Sequence, residues 1–142
     1  MNGRVCICGS MTFIDEMEAL ALTLEEKGYH VDLPMREEDG VSWSSLSPEA
    51  ARARKATFID AHLEKIRVAD VVLIANYRKH EVDGYVGANS LMEAAFAYAL
   101  GKPVAVLYPV GDQPCQLELQ ATSALTLEGD LEVLAGLMGA RT

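Results

Sequence analysis

The chain has 142 residues, of which half are apolar and 23% are charged, and its formal net charge is −9. This size and balance predict one soluble domain over residues 1–142 with a full hydrophobic core. The negative charge argues against a nucleic acid polymer and against an anionic membrane surface as partners. No apolar run approaches the ~20 residues that a membrane span needs, and the N-terminus lacks the layout of a signal peptide.

The cysteines indicate a reducing compartment. Cys6, Cys8 and Cys115 are odd in number. Cys6 and Cys8 are two residues apart in a predicted strand, so they point the same way and are expected to be buried in a cytoplasmic protein. No Cys or His cluster has the spacing of metal ligands, so we predict no metal and no other cofactor.

The first part of the chain alternates strand and helix. A short apolar strand is predicted over residues 4–8, an amphipathic helix over about 13–27, and a second strand over 29–33. A polar stretch at 36–47 then carries Trp43, the only tryptophan. A loop of this length is either a lid over a binding site or a surface loop whose tryptophan packs on the nearest apolar patch.

A long helix follows the polar stretch. Ser47 is its predicted N-cap and Pro48 its first residue, and it runs to about Val68. His62 borders the apolar stripe of this helix. The helix leads directly into a third strand at 70–75.

The segment from Gly84 to Gly101 is predicted to be a glycine-rich loop followed by an alanine-rich helix that ends at Gly101. Ser90 and Glu93 have the spacing of a capping box in the first turn of that helix. Glu93 is therefore either only a cap or a carboxylate held ionised beside a ligand. The loop suits an anion, because backbone N–H groups and the helix dipole converge on it, and its characteristic residues are Gly84, Gly87, Asn89 and Ser90.

The remaining elements complete an α/β pattern. Strands are predicted at 103–108 and 123–127, and helices at about 116–121 and 130–138. Five strands that alternate with helices predict a flavodoxin/Rossmann-like three-layer sandwich with a parallel sheet of order 2-1-3-4-5. Ligands in such sheets bind at the carboxyl ends of the strands where the order reverses, here between the first and third strands. That rule brings Gly9-Ser10-Met11, the loop from Asn76 to Ser90, and Glu93 to one crevice.

Four short matches along most of the chain resemble one family. They are Cys8-Gly9-Ser10, Ala69-Asp-Val-Val-Leu73, Glu93 within Leu-Met-Glu-Ala-Ala-Phe-Ala, and the following Gly101-Lys-Pro-Val. Their order and spacing are similar to those of the nucleoside 2-deoxyribosyltransferase family, which includes 5-hydroxymethyl-deoxyuridine-monophosphate N-hydrolases and related nucleotide N-glycosidases. No single match is specific alone.

Three positions depart from the family pattern. His62 stands where the family has a catalytic aspartate, Cys6 where a tyrosine is common, and Thr12 where the monophosphate hydrolases have an arginine. Histidine is a competent acid near neutral pH, so the chemistry can survive the first change. The departures indicate a divergent branch of this family, whose substrate differs from those of the deoxyribosyltransferases and the monophosphate hydrolases.

The resemblance implies an N-glycosidase or deoxyribosyltransferase acting on a small-molecule nucleoside or nucleotide. Glu93 would attack the anomeric carbon, kept ionised by the helix N-terminus and the amides of residues 87–89, and His62 would protonate the departing base. Whether water or a second base completes the reaction stays open. The implied substrate-binding residues are Gly9, Ser10, Met11, Asn76, Tyr77, Gly87, Asn89 and Ser90.

The resemblance also implies a homo-oligomer. The small residues Ala94, Ala95, Ala97 and Ala99 would let two helices approach closely, unless they face the sheet. Two other functions stay open. One is a phosphoribohydrolase of the cytokinin-activating type, whose glycine-rich pattern is met loosely from Gly84 to Glu93. The other is a non-catalytic nucleotide sensor.

Overall fold

The computed structural model describes residues 3–35 and 43–139. Its strands are β1 (Arg4–Cys8), β2 (His30–Asp32), β3 (Val71–Ile74), β4 (Val104–Val106) and β5 (Leu125–Thr126). Its α-helices are α1 (Ile14–Glu26), α2 (Pro48–Val68), α3 (Ala88–Ala99), α4 (Gln116–Thr122) and α5 (Ala135–Gly139). Short 3-10 turns lie at Met11–Phe13, Trp43–Ser45 and Leu131–Leu134.

The five strands form one parallel sheet of order β2-β1-β3-β4-β5, so the predicted topology is confirmed. The predicted bounds were too generous for the edge strands, because β2 has three residues and β5 has two. The predicted closing helix begins as a 3-10 turn and becomes α-helical only at Ala135. Most of the long polar loop, residues 36–42, lies outside the described residues.

Two cores cover the two faces of the sheet. One face packs against α1 and the C-terminal segment through Met17, Leu24 and Leu134, and the other packs against α2, α3 and α4. The second core includes Ile66 and Leu119. Fully burying an aliphatic side chain of this size stabilises a fold by about 1.5–3 kcal/mol, so these layers hold the helices firmly on the sheet. Among the described residues, no helix is both long and apolar enough to cross a membrane.

Strand β1 sends alternate side chains into the two cores. Val5 and Ile7 enter the first core, and Cys6 and Cys8 enter the second, with all four side chains completely buried. The alternation is the ordinary period of two in a strand. The expectation that both cysteines are buried on one face is confirmed, and that face looks towards α2 and α3.

The helix ends follow two of the predicted signals. The Ser47 hydroxyl accepts the Ala50 N–H at 3.1 Å, with Pro48 as the first residue of α2. At the end of α3, Gly101 has a φ of 74°. The N–H groups of Gly101 and Lys102 bond back to the carbonyls of Tyr98 and Ala97, a Schellman ending.

The loop before α3 is fixed by a backbone contact that only glycine permits. A Cβ at Gly84 would lie 2.0 Å from the Pro109 carbonyl oxygen, and Gly84 also has a φ of 67°. The Gln113 side chain joins the same two loops, since it accepts from the Val86 N–H at 3.0 Å and donates to the Gly84 carbonyl at 3.0 Å. These contacts determine where α3 begins.

Candidate active site

An imidazole and a carboxylate meet beside the carboxyl end of β1. His62 on α2 is 5% exposed and Glu93 on α3 is 13% exposed, and His62 Nε2 lies 3.5 Å from Glu93 Oε2. The sheet topology accounts for this meeting, because α2 precedes β3 and α3 follows it on the same face. The resemblance implies that both groups act on one substrate, and the structure brings them together in one cleft. Their catalytic roles stay predictions.

The pair lies in a cleft between α2, α3 and the end of β1. The cleft has a cavity volume of about 90 Å³ and is open to solvent on one side. The lining residues are Gly9, Met11, Pro34, Met35, Lys55, Phe58, Ile59, Ala61, His62, Lys65, Asn89, Met92, Glu93 and Phe96.

The predicted capping box was wrong. Helix α3 begins at Ala88 with Gly87 as N-cap and no side-chain cap, so Ser90 already lies inside the first turn and is buried. The extended backbone of Gly87, with φ −82° and ψ 178°, starts the helix earlier than the Ser90 signal suggested. Glu93 consequently falls in the second turn and points into the cleft. The structure removes the interpretation of Glu93 as a cap.

Glu93 is not held ionised by the helix N-terminus. Burial raises the pKa of Glu93 to about 7, and the neighbouring charges of His62, Lys55 and Lys65 only partly oppose this effect. The expectation of a freely ionised carboxylate failed because Glu93 lies beyond the first turn, where the helix dipole has faded, and because the apolar walls of the cleft exclude water. Near neutral pH the side chain is poised to gain or lose a proton.

Two thiols lie beneath the imidazole. His62 Nε2 is 3.2 Å from Cys8 Sγ and 3.5 Å from Cys6 Sγ. The three ligand-type atoms all lie within 4.8 Å of one another. Our argument that no Cys or His cluster has the spacing of metal ligands considered spacing along the sequence only, and it missed this group because α2 carries His62 over the cysteine face of β1. A Cys-x-Cys strand next to a helical histidine was the available signal.

The thiols and the imidazole change one another's pKa values. The Cys8 hydrogen bond lowers the pKa of Cys6 to about 6, against burial and with help from His62. Burial raises the pKa of Cys8. Burial alone would lower the pKa of His62, but the Cys6 hydrogen bond and the charges of Cys6 and Glu93 outweigh it, and the pKa rises. The imidazolium form is thus favoured despite its burial.

Three of the predicted substrate-binding residues line the cleft, namely Gly9, Met11 and Asn89. Gly9 sits tightly at the end of β1, where a Cβ would lie 2.8 Å from Met17 Sδ and 3.2 Å from the Ala75 carbonyl oxygen. Because Gly9 has no side chain, the backbone can turn at the end of β1 and form part of the cleft wall. These residues stay proposals for substrate binding.

The other five predicted residues lie outside the cleft lining. Ser10 accepts a hydrogen bond from Lys79 Nζ at 2.9 Å. The Asn76 side chain is bonded to both backbone groups of Tyr108, and it thereby joins the ends of β3 and β4. Tyr77 packs its ring between Phe13 and Tyr108. Gly87 is the N-cap of α3, and Ser90 is buried behind it.

Sequence reasoning missed the second wall of the cleft. Lys55, Phe58, His62 and Lys65 recur every three or four residues, so α2 presents all four on one face. The Lys65 ammonium donates to the Leu33 carbonyl at 2.6 Å. Lys55 lies over the Trp43 ring, with its Nζ 4.8 Å from the ring centroid. The three-to-four-residue spacing was the signal in the sequence. Lys55 and Lys65 of this wall add two positive charges near Glu93.

A five-stranded parallel sheet of order β2-β1-β3-β4-β5 defines a doubly wound α/β domain, and the buried side chains of His62 and Glu93 lie at its switch point. Solved structures of this fold include the 2-deoxyribosyltransferase from Bacillus psychrosaccharolyticus, with a TM-score of 0.64 and 16% identity over 93% of this chain and 90% of that one. The 2-deoxyribosyltransferase from Leishmania mexicana has a TM-score of 0.55 and 11% identity over 99% of both chains.

A CMP N-glycosidase from Clostridium botulinum is also similar, with a TM-score of 0.49 and 21% identity over 86% of this chain and 84% of that one. The sequence matches no protein-family model and no curated protein. At these identities the likeness establishes the fold, and the predicted fold class is confirmed.

Proposed function

We propose that the chain is an enzyme that cleaves the N-glycosidic bond of a nucleoside or nucleotide. The observation that carries this proposal is the 3.5 Å approach of His62 Nε2 to Glu93 Oε2 inside a cleft at the strand ends. The fold shared with two 2-deoxyribosyltransferases supports it. So do the family-like residues around Gly9 and Glu93.

Glu93 acts as the nucleophile in this proposal. Breaking the bond between the anomeric carbon and the base nitrogen builds positive charge on the sugar, and a carboxylate on that face stabilises it. An Oε atom of Glu93 bonds to the anomeric carbon while the electron pair of the old bond leaves with the base. Water or a second base then attacks the same carbon, gives its proton to the His62 imidazole that became neutral in the first step, and regenerates the carboxylate. The enzyme is a hydrolase in the first case and a transferase in the second.

His62 supplies the proton that the departing base needs. The imidazolium stabilises the ionised nucleophile until the base leaves, and it then donates its Nε2 proton to the base nitrogen. The raised pKa values of Glu93 and His62 describe a pair that holds one proton between them near neutral pH. One proton and one negative charge are what the first step consumes.

The test is release of free base. Wild-type protein is first treated with EDTA to remove any bound metal. It is then incubated with a panel of nucleosides and nucleoside monophosphates, with and without a second base, and the products are separated by chromatography. Free base shows hydrolysis, and an exchanged base shows transfer. Glu93→Gln should release neither, whereas Glu26→Gln, at an exposed position on α1, should match the wild type. No release from any substrate by the wild-type protein overturns the proposal.

The two lysines of the cleft favour one alternative, a phosphoribohydrolase. Lys55 and Lys65 place positive charge near Glu93, and that charge suits a 5′-phosphate. Release of base only from nucleoside 5′-monophosphates, with ribose 5-phosphate as co-product, would identify this activity. Binding of nucleotides without any released base would identify the sensor.

We further propose that the protein works as a homo-oligomer in the cytoplasm. The described cysteines are free, which suits a reducing compartment. Apolar side chains stay exposed on neighbouring helices, with Tyr98 58% exposed on α3 and Leu117 72% exposed on α4. Exposed apolar groups grouped in this way commonly mark a protein interface. Of the alanines considered, Ala94 and Ala97 face the sheet, so only Ala95 and Ala99 remain on the outer side.

A further inference from the structure

Three donor atoms cluster at the floor of the cleft, those of Cys6, Cys8 and His62, and the Glu93 carboxylate lies beside His62. Cys6 Sγ, Cys8 Sγ and Glu93 Oε2 lie 3.5 Å, 3.2 Å and 3.5 Å from His62 Nε2. Both cysteines are completely buried and His62 is 5% exposed. The cluster combines a strand whose alternate residues face α2, a histidine on α2 and a carboxylate on α3, so three elements of the fold hold it in place.

Hydrogen bonds can pair the groups of this cluster in more than one way. The Cys8 thiol can donate to Cys6, and a proton on His62 Nε2 can be donated to Cys6 Sγ or to Glu93 Oε2. The other ring nitrogen, Nδ1, is buried and has no partner among the described residues. A cation between Nε2 and the two sulfurs would be bonded by all three atoms at once.

The separations fit a tetrahedral metal site. Bonds of about 2.3 Å to sulfur and about 2.0–2.1 Å to nitrogen or oxygen place neighbouring ligand atoms about 3.3–3.8 Å apart. The observed distances of 3.2–3.5 Å from Nε2 are close to these edges, and the two sulfurs and Nε2 all lie within 4.8 Å of one another. Small rotations of the cysteine side chains and a larger one of Glu93 would close the site, with no change in the sheet.

We propose that Cys6, Cys8 and His62 bind a zinc ion at the cleft floor, with Glu93 as the fourth ligand. Thiolate and imidazole ligands in a tetrahedral arrangement select zinc over magnesium or calcium. Binding displaces any thiol protons of Cys6 and Cys8 and the proton held by the His62–Glu93 pair, and it leaves the imidazole neutral, with its one proton on Nδ1. Two thiolates and one carboxylate offset the ion with one negative charge to spare, which lies near Lys55 and Lys65.

The zinc ion would switch the proposed reaction off. Nε2 and the Glu93 carboxylate cannot bond the metal and also serve as acid and nucleophile. This consequence rests on the proposed function, whereas the metal site itself does not. Stoichiometric zinc should therefore abolish release of base, and EDTA should restore it.

The test is direct metal binding to the reduced, EDTA-treated full chain. Cobalt(II) should bind one ion per chain, with a thiolate-to-cobalt charge-transfer band and the intense visible bands of tetrahedral geometry, and zinc should displace it. Cys6→Ser and Cys8→Ser should each weaken binding by at least about tenfold and diminish the charge-transfer band. Cys115→Ser is the matched control and should bind like the wild type, because Cys115 lies outside the cluster.

The Glu93→Gln variant tests the fourth ligand. It should keep the charge-transfer band while binding cobalt more weakly. A wild-type protein that binds no stoichiometric cobalt, or binds it without a thiolate band, overturns the proposal, and this readout needs no variant that might misfold. The cobalt titration contains no substrate. Its failure would therefore not bear on the glycosidase assay in EDTA, which tests the proposed function separately.

Discussion

His62 Nε2 and Glu93 Oε2 lie 3.5 Å apart, yet they come from helices on opposite sides of β3 in the sequence. Neither side chain is exposed enough for water to screen the other, so each determines how readily its partner holds a proton. Glu93, which stands at the family-like position, and the unusual His62 therefore act as one unit.

Replacing Glu93 by Gln should remove activity while making the protein less sensitive to alkaline pH. The pKa of Glu93 is raised above 4.5 to about 7, so the folded state binds more protons than the unfolded state between these values. Wild-type stability therefore falls as the pH rises through this window, because the buried carboxyl must ionise. His62, whose pKa is also raised, adds to the same fall.

Urea unfolding at pH 5 and pH 8 measures this effect. The wild type should lose more stability between the two pH values than Glu93→Gln does, by roughly 1–3 kcal/mol. Release of base should fall by orders of magnitude in the variant. Equal pH slopes, or retained activity, would contradict the assignment, and Glu26→Gln serves as the surface control.

The sequence predicted the sheet order because the strands are short apolar runs separated by clear helix signals. The topology also placed Glu93 in the crevice at the strand ends, whereas His62 was assigned to the site only through its match to the family aspartate. The sequence could not show that Glu93 is buried, because burial depends on how α2 packs over α3. The capping-box signal at Ser90 misled because α3 begins two residues earlier, at Ala88, with the extended backbone of Gly87 as its N-cap.

His62→Asp should retain more activity than His62→Ala. An aspartic acid beside Glu93 can still hold the proton shared by the pair, whereas alanine leaves the departing base without an acid. The comparison is made as kcat/KM for base release in EDTA. His30→Ala, at an exposed position on β2, is the control and should be unchanged. The interpretation of His62 as the acid fails if the alanine variant is as active as the wild type.

Gly84→Ala should destabilise the protein by about 3 kcal/mol or more, and Gly101→Ala by only about 1 kcal/mol. Both glycines have positive φ values, 67° and 74°, but only at Gly84 does the added Cβ meet the backbone, 2.0 Å from the Pro109 carbonyl oxygen. Urea unfolding of the two variants separates the clash from the backbone strain. Similar losses would mean that the loop contact at Pro109 is readily displaced.

The oligomer should depend on the outer side of α3 and α4. Sedimentation of the wild type at micromolar concentration should show a species larger than the 15.4 kDa chain. Tyr98→Glu and Leu117→Glu should shift it towards the monomer, because a charge at these exposed positions opposes burial in an interface. Leu22→Glu, equally exposed on α1, should leave the assembly intact. A clean wild-type monomer would refute the proposed oligomer.

The pH profile of base release should be bell-shaped in protein freed of metal by EDTA. The acidic limb should lie near pH 7, because the nucleophile is competent only when Glu93, with a pKa of about 7, has lost its proton. The alkaline limb should lie above the ordinary histidine value of 6.5, because Cys6 and Glu93 raise the pKa of His62 against its burial. Only molecules with an ionised Glu93 and a protonated His62 react, so the two limbs enclose a narrow optimum.

His62→Ala separates the two limbs. Its residual activity should lose the alkaline limb, because no imidazolium remains to be deprotonated, while the acidic limb should persist and move upwards, since the positive charge that opposes protonation of Glu93 is gone. His80→Ala removes an exposed histidine instead and should leave the profile as it is in the wild type. An alkaline limb that survives in His62→Ala would show that another group protonates the base, and the close approach of His62 to Glu93 would then serve only to position the nucleophile.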